Sequence, residues 1–128
     1  EIQASDWSFR RVLFRSAMFA VLPLAPAQAN TPRPAPVFAP CASCHSIEPG
    51  KTVFGPSLSG IANRKAASVP GYAYSPALKA SGLTWNAATL DRWLRGPQKL
   101  VPGTRMPFGG IADAKTRKAV VDYLMTVK

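Results

Sequence analysis

Residues 41–45 read Cys-Ala-Ser-Cys-His, and no other stretch of the chain narrows its possible folds so far. Two thiols three residues apart stand one helical turn apart, roughly the spacing of the two vinyl groups on one haem. The residue that follows, His45, is then held beneath the ring as an axial iron ligand. A chain that uses the run this way folds around a large flat group bonded to its two cysteine side chains. The remaining inventory is small: no cysteine beyond Cys41 and Cys44, no second histidine, and three methionines, Met18, Met106 and Met125.

Other uses of a C-x-x-C pair fit less well. A thioredoxin-type redox pair needs a βαβ setting, and no segment alternates with period two. A closed zinc site needs four ligands, and no further Cys or His exists to supply them. A disulfide formed after export would leave His45 as a surface residue without a role.

The second axial ligand follows partly by elimination. Low-spin electron carriers use His/His or His/Met ligation, so with one histidine a methionine fills the sixth position or it stays open. Met18 falls in an expected leader. Met125 sits between Leu124 and Val127 in an apolar stripe, where a flexible gap-filler is the plainer reading. Met106 lies in Val101-Pro-Gly-Thr-Arg-Met-Pro-Phe108, a loop stiffened by two prolines, and is the favoured candidate.

The organisation around this site is legible. Residues 1–29 read as an export leader: Arg10, Arg11 and Arg15, then the apolar run 17–24, then Ala27-Gln28-Ala29 as a cleavage pattern. Within it, residues 6–16 resemble the translation of a sequencing-adapter oligonucleotide, which would leave about 17–29 as the genuine leader. Residues 30–36 form a proline-rich linker, and 37–128 are expected to be the folded domain. The apolar run is far short of the ~20 residues that span a membrane. The expected class is all-α, with short helices and long loops. Helices are predicted over 37–45, after the Ser75-Pro76 cap and up to Gly82, from Asn86 to Arg95 with Gly96-Pro97 as a stop, and from Asp113 onward. Leu90, Trp93 and Leu94 share one face of the third; Val120, Tyr123, Leu124 and Val127 form the stripe of the last.

Taken in order, Cys41–His45, Gly55-Pro56, Pro70-Gly-Tyr-Ala-Tyr74, Leu83-Thr-Trp85 and Pro102-Gly-Thr-Arg-Met-Pro-Phe108 resemble the small class I cytochromes c. The resemblance runs from about Val37 to Lys128 and implies the cytochrome c fold, with one haem c bound through Cys41 and Cys44 and iron held by His45 and Met106. It implies that the carbonyl of Pro56 accepts a hydrogen bond from His45, that Tyr74 and Trp85 bond a haem propionate, and that Arg64 neutralises it. Trp93 stands where relatives of the mitochondrial type carry a tyrosine directed at the methionine sulfur. The glycine-containing helix that opens most family members is cut short here by Pro32, Pro34 and Pro36, so a smaller contact of Val37 and Phe38 with Tyr123 and Leu124 is expected.

The implied function is one-electron transfer between redox partners by a periplasmic monomer, and not an enzyme. A peroxidase-like enzyme or small-gas sensor is the alternative if Met106 is displaced. The formal charge of +10 falls only to +9 without residues 1–29, so it belongs to the working domain. Lys79, Lys99 and Arg105 match positions at or near the haem edge. There they would steer the domain to acidic faces of a membrane oxidase or cytochrome bc-type complex. Nucleic-acid binding lacks any motif.

Overall fold

A computed structural model describes residues 34–128. The expected leader and residues 30–33 of the linker lie outside the described residues. Among those described there are five α-helices, one 3-10 turn and no strand, only an isolated bridge between Lys65 and Thr84. The all-α expectation holds.

The predicted helix over 37–45 is split in two and ends early, with residues 43–45 beyond it. A 3-10 turn covers Pro36–Phe38 and α1 covers Ala39–Ala42. Proline chemistry explains the division. Pro36 sits in the opening positions of the turn, where its missing N–H costs nothing, so the helical segment begins on the last residue expected to be linker. Pro40 has no N–H to send back four residues; the Pro36 carbonyl is taken instead by the N–H of Ala39. Phe38, fully buried, meets Tyr123 with ring centroids 5.6 Å apart. The short N-terminal segment thus still reaches the last helix.

The three predicted caps form. The Ser75 hydroxyl accepts from Leu78 N–H at 3.2 Å at the start of α2 (Pro76–Ala80). Asn86 Oδ1 accepts from Thr89 N–H at 2.8 Å before α3 (Ala87–Arg95). Asp113 Oδ2 accepts from Thr116 N–H at 2.7 Å before α5 (Ala114–Leu124). Each satisfies an N–H that the helix itself cannot, worth about 1 kcal/mol. Leu90, Trp93 and Leu94 of α3 are buried, as are Val120, Val121 and Leu124 of α5, and the two helices pack together.

Gly96-Pro97 ends α3 as predicted but also starts a further short helix, α4 (Pro97–Leu100). A proline that stops one helix is well suited to the first position of the next, and Pro97 is fully buried there. Between α1 and α2 the chain has no regular element. It is held by Lys65 opposite Thr84, with Ala66 N–H donating to Leu83 O and Trp85 N–H to Arg64 O, both at 2.8 Å. That short ladder brings Arg64 and Trp85 side by side.

Candidate haem site

A cavity of about 350 Å³ opens in the middle of this arrangement. That volume lies within the range of small-molecule sites, on the order of 300–1,000 Å³. The walls are mostly apolar, with Leu58, Ile61, Leu78, Leu90, Leu94 and Leu124 among them. Every site residue named from the sequence lines it: Cys41, Cys44, His45, Pro56, Arg64, Tyr74, Trp85, Trp93 and Met106. Met125 is not in the lining; it packs half-buried against the core.

The histidine is held from several sides. Its N–H donates to Cys41 O at 2.9 Å, a helical bond that carries it one turn beyond the first thiol. Its ring Nδ1–H donates to Pro56 O at 2.8 Å. That bond sets the tautomer, leaving Nε2 with a free lone pair for a metal. Burial pushes His45 below the usual histidine range, and the Pro56 bond only partly opposes this, so the imidazole stays neutral and able to ligate. Gly55 N–H donates to Cys44 O at 2.7 Å, tying the Gly55-Pro56 turn to the cysteine segment.

Sequence reasoning gave Gly55 no role of its own. A β-carbon there would stand 2.5 Å from His45 Cε1 and 2.8 Å from Nδ1, so only glycine lets the backbone come this close to the ring. The neighbouring Gly-Pro pair was the available signal, but close approach is a tertiary fact.

The polar rim is similarly organised. Arg64 donates to Ser59 O at 2.7 Å and Ser57 O at 3.1 Å, which fixes its guanidinium at the cavity wall. Tyr74 Oη accepts from Val69 N–H at 3.2 Å, leaving its own proton to donate elsewhere. Burial raises the Tyr74 pKa, so the phenol remains a donor. Trp85 and Trp93 meet edge to face with centroids 5.1 Å apart. Of the three basic residues expected at the edge, Arg105 lines the cavity and is exposed. Lys79 on α2 and Lys99 on α4 are exposed but outside its walls.

The surroundings of Cys41 do not suit the attacking thiol of a dithiol redox pair. Burial pushes the Cys41 thiol up and neighbouring Cys44 adds to the rise, the reverse of the lowered thiolate pKa such pairs depend on. Among the described residues no group of three Cys, His, Asp or Glu side chains could hold a metal ion alone. Two thiols, a neutral imidazole and a thioether around a mostly apolar space suit an iron porphyrin.

The family model described as cytochrome c matches residues 35–128. The chain belongs to the cytochrome c family. Cytochrome c2 of Rhodoblastus acidophilus is 50% identical over 93 residues, covering 72% of this chain and 87% of that one. Cytochrome c2 iso-1 of Magnetospirillum molischianum is 46% identical over 97 residues, 74% of this chain and 97% of the relative. Among solved structures, cytochrome cH from Methylobacterium extorquens is similar with a TM-score of 0.67 and 49% identity, covering 70% of this chain and 91% of that one. This member of the family is a single-haem c-type cytochrome that transfers electrons, with haem c held covalently through Cys41 and Cys44.

Proposed function

We propose that the domain over 37–128 is a periplasmic shuttle whose iron is bound by His45 and Met106, without an enzymatic role. One observation carries this reading: His45 and Met106 line the same cavity as both cysteines, while Met125 packs elsewhere. The haem supplies the one-electron iron chemistry. The chain's part is to keep its surroundings unchanged as charge enters or leaves. Pro56 holds His45 in one tautomer, and the apolar wall excludes water. Arg64, Tyr74 and Trp85 offer a fixed cation and donors suited to buried propionates. A thioether ligand and an apolar setting both favour the reduced state and raise the potential.

The lone histidine argues against peroxidase-like chemistry, because His45 is committed to Pro56 and no other imidazole is present to move a proton on the far side. The optical spectrum tests the carrier reading. A methionine–iron band in the oxidised holoprotein supports it; high-spin iron at neutral pH favours the enzyme or sensor.

Trp93 bears on the strength of that bond. An indole fixed edge to face against Trp85 cannot offer the sulfur a hydroxyl. Trp93→Tyr is therefore expected to move the alkaline loss of the methionine–iron band to higher pH. A wild-type transition no earlier than that of the variant contradicts this role.

Acidic docking faces on a membrane oxidase or bc-type complex fit the charge of +10 and the exposed Lys79, Lys99 and Arg105. Among the described residues no helix is long and apolar enough to cross a membrane. Stopped-flow electron transfer to an acidic partner should slow steeply between low and physiological salt, as steered encounters do. A flat salt dependence removes the steering.

A further inference from the structure

We propose that Arg117, through its pair with Asp91, is a positioning residue for Met106; this rests on Met106 being the sixth ligand. Among the described residues Arg117 is the one charged side chain that is buried, at 5% exposure. Its Nε–H donates to Asp91 Oδ1 at 2.6 Å, and Nη1 donates to Ile111 O at 2.9 Å and Ala112 O at 3.1 Å. Burying a guanidinium is costly unless every donor is directed at something, and an apolar side chain would fill the space more cheaply. What it adds is direction. It grips the backbone of an irregular segment that helix packing alone leaves free.

That segment is the downstream end of the Met106 loop. Ile111 N–H donates to Leu94 O at 2.7 Å. Gly110, at φ +102°, lies so close to the Arg95 carbonyl that a β-carbon would collide with it. Residues 110–112 are thereby pinned between the end of α3 and the start of α5, with the Asp91–Arg117 pair joining those helices. Asp91 also accepts from Arg95 at 3.1 Å, so α3 holds the carboxylate in place. Upstream, Gln98 Nε2 donates to Thr104 O at 2.5 Å and Val101 N–H to Pro97 O at 2.8 Å. Met106 hangs between these two anchors. Loosening the downstream one raises the fraction of molecules with the loop open, and an external ligand gains apparent affinity by that factor.

Imidazole titration of the oxidised holoprotein, read at the methionine–iron band, tests this. Asp91→Asn and Arg117→Lys should each bind imidazole about tenfold more tightly than wild type. The double variant should gain little more than either single one, because both remove the same contact. Asp91 is about one-third exposed, so Asp91→Asn keeps the test open if the Arg117 variant fails to fold. Val120→Ala is the control: buried on the same helix and outside the cavity lining, it should lower the melting temperature without changing imidazole affinity. Affinity within twofold of wild type in Asp91→Asn, or an equal gain in Val120→Ala, overturns the positioning role. A band absent from wild type, or retained in Met106→Leu, overturns the ligand reading and this proposal with it.

Discussion

Gly55→Ala is expected to destabilise the protein by about 1–3 kcal/mol, the usual cost of forcing atoms into a filled space, and to weaken iron ligation by His45. Gly55 is not among the positive-φ glycines, so the effect comes from crowding. The added carbon would lie 2.5 Å from His45 Cε1 and 3.0 Å from Nε2. Neither side yields easily. Gly55 is tied to Cys44 O at 2.7 Å and the ring to Pro56 O at 2.8 Å. If the ring swings away it loses the Pro56 bond and points its free nitrogen elsewhere; losing such a supporting partner typically costs ten- to a hundredfold in metal affinity. A lower melting temperature together with a high-spin fraction in the oxidised spectrum is the expected pair of results. Gly60→Ala is the contrast: at φ +62° with nothing within 4 Å, it should cost only backbone strain, about 1 kcal/mol, and leave the spectrum unchanged. A wild-type spectrum and melting temperature in Gly55→Ala would show that the ring has room the structure does not allow it.

Met106→Leu is expected to change the chemistry far more than the stability. Leucine and methionine are close in volume, so the packing cost should stay below about 1.5 kcal/mol. Among the described residues, however, no other thioether lines the cavity. His45 is the only histidine, and Met125 lies half-buried against the core, outside the cavity lining. The oxidised variant should lose the methionine–iron band, become high-spin at neutral pH and bind small exogenous ligands readily. Its reduction potential should fall by on the order of a few tenths of a volt, since axial ligands tune haem potentials over roughly 0.8 V. Met125→Leu should leave both properties as they are. Retention of the band in Met106→Leu would assign the sixth position to another residue.

These two positions also mark where the sequence could and could not be read. The C-x-x-C-H run and the caps at Ser75, Asn86 and Asp113 are local chemistry, and each acts through neighbours within a few residues. Met106 is favoured by counting ligands, because the chain has so few, and the family resemblance adds the rest. Gly55, Arg117 and the ladder pairing Arg64 with Trp85 depend on residues distant in the chain. A glycine that must lie against a ring looks like any turn glycine, and an arginine buried by a 26-residue contact looks like any helix-surface cation. The helix α4 is not legible because Gly96-Pro97 reads as a stop, although proline also suits the first position of a helix. The apolar stripe on α5 was seen, but Val121 and Arg117 beside it are buried too, since α3 and the N-terminal turn cover more of that helix than one stripe.

The sixth ligand is tested most directly by nuclear magnetic resonance of the reduced holoprotein with 13C-labelled methionine methyl groups. A methyl bonded through sulfur to low-spin iron lies in the ring current of the porphyrin and resonates far upfield of ordinary methionine methyls. One such resonance is expected, absent from Met106→Leu and unchanged in Met125→Leu. A spectrum with no upfield methyl, or one whose upfield methyl survives Met106→Leu, contradicts His45/Met106 ligation.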